Sequence, residues 1–167
     1  QPYDLKETLY SGQAFRWRQI EAHKHTEGIW HEGFINSMRV RLNQVGNNIN
    51  IEFDSKHKEI VVQAVEEYLR AEDDMFSIYD TMSSDQYLKK ATSQYRGLHI
   101  LRQDPWECLV TFICSANNNI PRIRQLIEHI CNSAGKHLID HYGAYRAFPT
   151  SSEINNLGEK GLRNLGF

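Results

Sequence analysis

Long apolar runs are missing from this sequence: nowhere do the ~18 consecutive apolar residues of a membrane-spanning helix occur. Cysteine is scarce. Its three copies, Cys108, Cys114 and Cys131, are odd in number, lie in apolar runs and never fall at C-x-x-C spacing, which argues against a zinc site and a disulfide framework alike and favours a reducing compartment. An initiating methionine is absent and the first residues, Gln1 to Leu9, are polar, so no secretory signal is expected and the chain reads as a fragment. What is present belongs to a folded globule. With 40% hydrophobic and 11% aromatic residues the chain is too rich in core-forming side chains to be disordered, and 167 residues suffice for one good-sized domain or two small ones.

Net charge is also small, −2, which at first sight argues against a polyanionic partner. Its distribution is uneven. Between Glu66 and Asp85 stand seven acids and one base, so the rest of the chain carries an excess of positive charge. Two windows hold no acid at all: Thr8 to Ile20, with Arg16 and Arg18, and Cys108 to Ile127, with Arg122 and Arg124. An anion would sit there.

From about Gln13 to Phe53, short aromatic segments alternate with period two: Phe15–Arg18, Ile29–Ile35, Met38–Leu42 and Ile49–Phe53, separated by Gly and Asn clusters. That pattern predicts an antiparallel meander with one buried face, covered by an amphipathic helix over Lys58–Arg70. Beyond it the texture is helical. Ser83 with Gln86, Asp104 with Glu107 and Thr150 with Glu153 fit capping boxes, and Pro105 suits a first helical position. A helix from Pro105 to about Ala116 carries apolar residues in nearly every direction and is expected to be central and buried. The next is amphipathic, with Ile120, Ile123, Ile127 and Ile130 in one stripe; two short helices fit Ser151 to Leu157 and Glu159 to Leu165. The fold class is therefore α+β, divided at the sheet-to-helix border into residues 1–74 and 75–167.

Ser115-Ala116-Asn117-Asn118-Asn119-Ile120-Pro121-Arg122 is the most informative segment. Three adjacent asparagines have no packing value; they make a turn in which Asn119 caps the following helix, or their amides read base edges while Arg122 and a helix N-terminus attract phosphate or a base. Ser11-Gly12-Gln13 is a tight turn into the sheet, or a place where a flat ligand touches main chain at Gly12. Glu72-Asp73-Asp74 lacks calcium-loop spacing and reads as a solvated helix end. His23, His25 and His31 are read as exposed histidines near a hairpin rather than metal ligands. Met75, Met82, Tyr68, Tyr79, Tyr87 and Tyr95 are assigned to the core or its half-buried rim.

Taken in order and spacing, Ser11 to Trp17, Tyr68-Leu69-Arg70, Leu101 to Leu109, Phe112 to Ile120 with Arg122-Ile123, Phe148-Pro149 and Leu162 to Phe167 resemble the eukaryotic type of 8-oxoguanine DNA glycosylase. The likeness runs over essentially the whole chain. It implies an N-terminal antiparallel sheet like half of a TATA-binding protein, packed on the first part of a helix-hairpin-helix glycosylase domain, incomplete here. It implies a monomer that binds double-stranded DNA containing 8-oxoguanine paired with cytosine, needs no metal or cofactor, flips the lesion out and cuts its glycosidic bond. Gly12 matches the substrate-binding glycine whose carbonyl accepts from N7–H of the lesion. Among the DNA-binding residues, Asn117 matches the one that fills the vacated gap and Arg122 matches a cytosine-binding arginine, with Asn119 in the same turn. Pro121 stands where the family carries a small residue, a position in a first helical turn that tolerates proline.

No catalytic residue is expected in this chain. The family nucleophile is a lysine in a Leu-Pro-Gly-x-Gly-x-Lys hairpin with an aspartate downstream, and none of the eight lysines lies in such a hairpin. The parent is expected in the nucleus or the mitochondrion. Two alternatives are a non-enzymatic DNA-binding or protein-interaction module, and a glycosylase of related fold acting on another lesion.

Overall fold

The computed structural model describes residues 2–21, 28–54 and 58–167. The alternating segments form an antiparallel meander in the order β1 (Arg18–Ile20), β2 (Trp30–Ile35), β3 (Met38–Val45) and β4 (Asn48–Phe53). The first strand starts later than the alternation suggested. Phe15 and Arg16 lie outside the ladder because they serve the helical half: Phe15 packs into its core, and Arg16 reaches Glu107 and the Arg146 carbonyl. Register then sorts the faces. Gly33 opposite Val40 opposite Phe53, and His31 opposite Leu42 opposite Ile51, share one face; Arg18 opposite Glu32 opposite Arg41 opposite Glu52 form a row on the other.

The apolar face is covered by α1 (Leu5–Tyr10) and α2 (Lys58–Leu69), whose Leu5, Leu9, Val61, Val65 and Leu69 share a core with Val40 and Leu42. The buried Trp17 belongs to this core and donates its indole N–H to the Tyr68 hydroxyl at 2.9 Å. Gly33 makes room for that indole, since a Cβ there would collide with the ring.

One buried face was expected; both are covered. A hairpin the sequence did not announce, β5 (His137–Asp140) and β6 (Gly143–Arg146), packs on the polar face. Arg39 donates to the carbonyls of Gly143 and Ala144 at 3.2 and 3.0 Å, Phe34 stacks on Tyr145 at 5.4 Å, and Arg41 lies 3.6 Å over the Tyr142 ring. Since all of these contacts but the Phe34–Tyr145 stack are guanidinium to carbonyl or guanidinium to aromatic ring, that burial leaves no apolar period to read.

The helices are α3 (Met75–Met82), α4 (Gln86–Gln94), α5 (Pro105–Ser115), α6 (Ile120–Ala134) and α7 (Ser151–Leu165). Gly158 (φ 62°, ψ 176°) breaks α7 into the two short helices expected there. Thr150 and Glu153 complete a reciprocal capping box. Asp104 caps α5, but Glu107 turns instead to Arg16, 3.6 Å away. Ser83 is not a cap for α4; it closes α3, while Asp85 accepts from the Tyr87 and Leu88 amides, a stronger arrangement because one carboxylate serves two orphan donors. Tyr68 and Met75 are buried as expected, whereas Tyr87 and Tyr95 are exposed, on or beside a helix with no buried residue.

A second core gathers Val110 and Cys114 of α5 with Ile123, Leu126, Ile127, Ile130 and Cys131 of α6, flanked by Phe15, Trp106, Phe148 and Leu157. The expectation that α5 is buried all round is corrected. Val110, Thr111 and Cys114 face inward, but Leu109, Phe112 and Ile113 are 50%, 74% and 63% exposed, because among the described residues α5 is packed along one side only.

Candidate nucleic-acid interface

The turn after α1 places Gly12 at φ +90°, a backbone conformation that side chains rarely adopt. Gln13 fastens it. Its Nε2 donates to the carbonyls of Thr8 (3.1 Å) and His99 (2.8 Å) and to Ser11 Oγ (2.9 Å), its Oε1 accepts from the Leu101 amide (2.8 Å), and its own carbonyl accepts from Gln103 Nε2 (2.6 Å). One side chain thus ties the Gly12 turn to the strand-like segment entering α5, a role the sequence motif did not reveal.

Between α5 and α6 the three asparagines divide the work. Asn117 takes a left-handed conformation (φ 56°) and is exposed; Asn118 donates back to the Cys114 carbonyl at 2.9 Å; Asn119 Oδ1 accepts from the Arg122 amide at 3.0 Å and caps α6. Turn formation is therefore one of their functions. Arg122 donates from Nη1 to Gln125 Oε1 (2.7 Å) and from Nη2 to the Gly166 carbonyl (2.9 Å), so its guanidinium lies across the end of α7, where a Cβ on Gly166 would collide with it. A cation there also complements the negative end of that helix.

Gly12 and the asparagine turn meet. A Cβ built on Gly12 would lie 3.6 Å from Ile120 Cδ1, in the first turn of α6, so the two acid-free windows converge on one corner. Ile120 remains 45% exposed there, unlike the other three isoleucines of its stripe, which are buried. The corner is backed by Tyr10, whose hydroxyl lies 3.0 Å from His31 Nδ1 and whose ring lies 5.7 Å from the Arg124 guanidinium carbon. Burial raises the Tyr10 pKa against the opposing charge of Arg124.

Residues 1–109 match the family model described as 8-oxoguanine DNA glycosylase, N-terminal domain. The chain belongs to that family. It is 32% identical to the N-glycosylase/DNA lyase OGG1 of Arabidopsis thaliana over 96% of its own length, and 30% identical to the N-glycosylase/DNA lyase of Saccharomyces cerevisiae over 98%. It covers 43% and 45% of those proteins, and so spans a little under half the length of these curated relatives. Its fold matches the crystal structure of Clostridium acetobutylicum 8-oxoguanine glycosylase/lyase in complex with double-stranded DNA containing cytosine opposite 8-oxoG. That match has a TM-score of 0.83 at 32% identity, and takes in 98% of this chain and 54% of that one.

Of the other residues singled out in this glycosylase-family chain, Asp73 and Asp74 have local partners. Asp74 caps α3 and Asp73 pairs with Arg70 at 2.7 Å, so those carboxylates act as helix-end groups. His31 is buried on β2 rather than exposed; burial and the nearby Lys6 charge lower its pKa. His23 and His25 lie outside the described residues. Burial pushes the Cys131 thiol up to about 11, which makes it a packing group rather than a nucleophile. The described lysines are all exposed.

Proposed function

We propose that this chain is the N-terminal portion of an 8-oxoguanine DNA glycosylase and AP lyase, carrying part of the lesion pocket and part of the reader of the opposite strand. The observation that carries the reading is the corner where Gly12 abuts Ile120, with Asn117 and Arg122 in the adjoining turn. Oxidation of guanine at C8 places a proton on N7, where guanine has a lone pair. A main-chain carbonyl at Gly12 accepts a hydrogen bond from that N7–H and faces guanine acceptor to acceptor, so one reversed polarity separates lesion from normal base.

Flipping costs a few kcal/mol of lost stacking, which Asn117 in the vacated gap and Arg122 on the orphaned cytosine both offset. Arg122 is already extended between Gln125 and Gly166, so it loses little rotamer freedom on binding. The lyase chemistry, attack of a lysine amine on C1′ with departure of the base, imine formation and β-elimination, requires a nucleophile that this reading assigns to the parent protein beyond these residues. The parent then acts as a monomer without metal or cofactor, on DNA of the nucleus or mitochondrion.

Fluorescence anisotropy with duplexes carrying 8-oxoguanine or guanine opposite cytosine tests the recognition half. The expected result is weak, salt-sensitive binding with a lesion preference that Asn117→Ala and Arg122→Ala abolish, one chain per duplex. Unchanged binding by both variants favours a non-enzymatic module instead. In borohydride trapping this chain is expected to give no covalent adduct, and an adduct would refute the assignment of the nucleophile elsewhere.

A further inference from the structure

A cleft of about 360 Å³ runs between β2 and β3, the β5–β6 hairpin and α6, and its floor and rim are arginines from separate elements: Arg16, Arg18, Arg39, Arg124 and Arg146. Two of the five come from one acid-free window and one from the other, so folding brings together the segments whose charge the lesion corner did not account for. Arg16 and Arg39 form the floor, with side chains 10% and 5% exposed; Arg18 stands at the mouth.

Their hydrogen bonding is incomplete. Arg39 Nε and Arg124 Nε are each buried without a hydrogen-bond partner, and Arg16 Nη1 has only the Glu107 carboxylate, 3.6 Å away. The Nη2 groups of Arg16 and Arg39 are fixed by the Arg146, Gly143 and Ala144 carbonyls, which hold both guanidiniums in place. Two buried guanidinium N–H groups without acceptors, on side chains that line one cleft, are a costly arrangement that an oxyanion drawn into the cleft relieves.

The carboxylates do not cancel the charge. Glu107 lies 3.6 Å from Arg16, Asp140 lies 3.4 Å from Arg39, Glu32 is shared by Arg18 and Arg41, and Glu128 lines the wall. The five lining arginines thus face four carboxylates, and burial raises the Glu107 pKa despite Arg16. The volume exceeds what a bare oxyanion fills, and Phe34 and Tyr145 supply apolar wall for an attached ring or sugar.

We propose that this arginine cleft is a binding site for a phosphate ester, held by the guanidinium groups of Arg16, Arg39 and Arg124. The same chemistry is offered by a free mononucleotide or by a phosphodiester of a DNA strand. Arg124 lies one turn along α6 from Ile120, about 6 Å, on the same face, so a strand engaged at Gly12 passes the mouth of the cleft. Only the DNA source rests on the proposed lesion-binding function.

The test is an NMR titration of arginine Nε–Hε resonances in this chain with inorganic phosphate, dGMP and a short undamaged duplex, each against chloride at matched ionic strength. Saturable shifts at Arg16, Arg39 and Arg124 are expected, with dGMP tighter than phosphate. Arg124→Gln and Arg146→Gln should each weaken binding about tenfold, and the charge-matched surface control Arg163→Gln should leave it unchanged. Duplex competing for the same resonances names the phosphodiester as occupant; saturation by dGMP without competition names the free nucleotide. Shifts matching those in chloride, or equal losses in Arg163→Gln, overturn the site. Failure of lesion preference with dGMP binding intact would instead count against the glycosylase reading alone.

Discussion

Glu32 shows how a single residue can tie three neighbouring strands together. Its carboxylate is 2% exposed and accepts from Arg18 and from Arg41 Nε (2.9 Å) in the cross-strand row of the polar face. Burial pushes its pKa up, but the hydrogen bonds of Arg18 and Arg41 and the charges of Arg18 and Arg39 outweigh burial and leave it below the usual range. The group is therefore more acidic folded than unfolded. It contributes stability that is fully present above the unfolded carboxylate value of about 4.3 and is lost as pH falls through the lower folded value. Glu32→Gln is expected to cost about 3 kcal/mol at pH 7, because two guanidiniums lose their partner, and the difference from wild type should shrink below about pH 4 in urea denaturation. His31 works in the same direction for a different reason. Its neutral ring is favoured by burial and by the Lys6 charge, so the unfolded chain takes up a proton first as pH drops below about 6.5, and stability falls there. Thermal unfolding at pH 7 and pH 5.5 should show this loss in wild type and a smaller one in His31→Gln.

At the scale of elements, the asparagine turn has two duties that substitutions separate. Asn119→Ala removes the cap of α6 and should lower stability by about 1 kcal/mol, whereas Asn119→Ser keeps an oxygen for the Arg122 amide and should stay near wild type by denaturant midpoint. If Asn119→Ser nevertheless weakens lesion-duplex binding, the amide itself contacts DNA. This cap was legible from the sequence because capping is local chemistry over three or four residues, as it was at Asp104 and Thr150. The α6 stripe and the meander were legible because each has one apolar face to impose a period. Three elements escaped for opposite reasons. The six residues of α1 are too few to display a helical period. The β5–β6 hairpin is largely exposed on one side, and its other side meets arginines with Phe34 as a single apolar contact. Asp85 displaced Ser83 as a cap within a run of four polar residues where several caps were available. At the candidate site, residue types pointed to Gly12, Asn117, Asn119 and Arg122, but the locking of the turn by Gln13 needed the fold, since its partners stand as many as ninety residues away.

For the whole molecule, the uncovered side of α5 is the feature with the largest consequence. Leu109, Phe112 and Ile113 follow one another along a single helix face, next to the corner that holds the asparagines. A contiguous exposed apolar face of this kind is out of the ordinary for a soluble surface and has measurable consequences. Two results follow for the isolated chain. It should bind the dye ANS at pH 7 while keeping a cooperative unfolding transition, since the two cores beneath are closed. Leu109→Ser with Phe112→Ser should remove most of that fluorescence at a cost of less than about 1 kcal/mol, because neither side chain loses much burial. The inward-facing Val110 supplies the contrast: Val110→Ser places a hydroxyl in the second core and should lower stability by about 2 kcal/mol without reducing dye binding. Equal destabilisation by the outer and inner changes would mean that the outer face of α5 is already packed in solution.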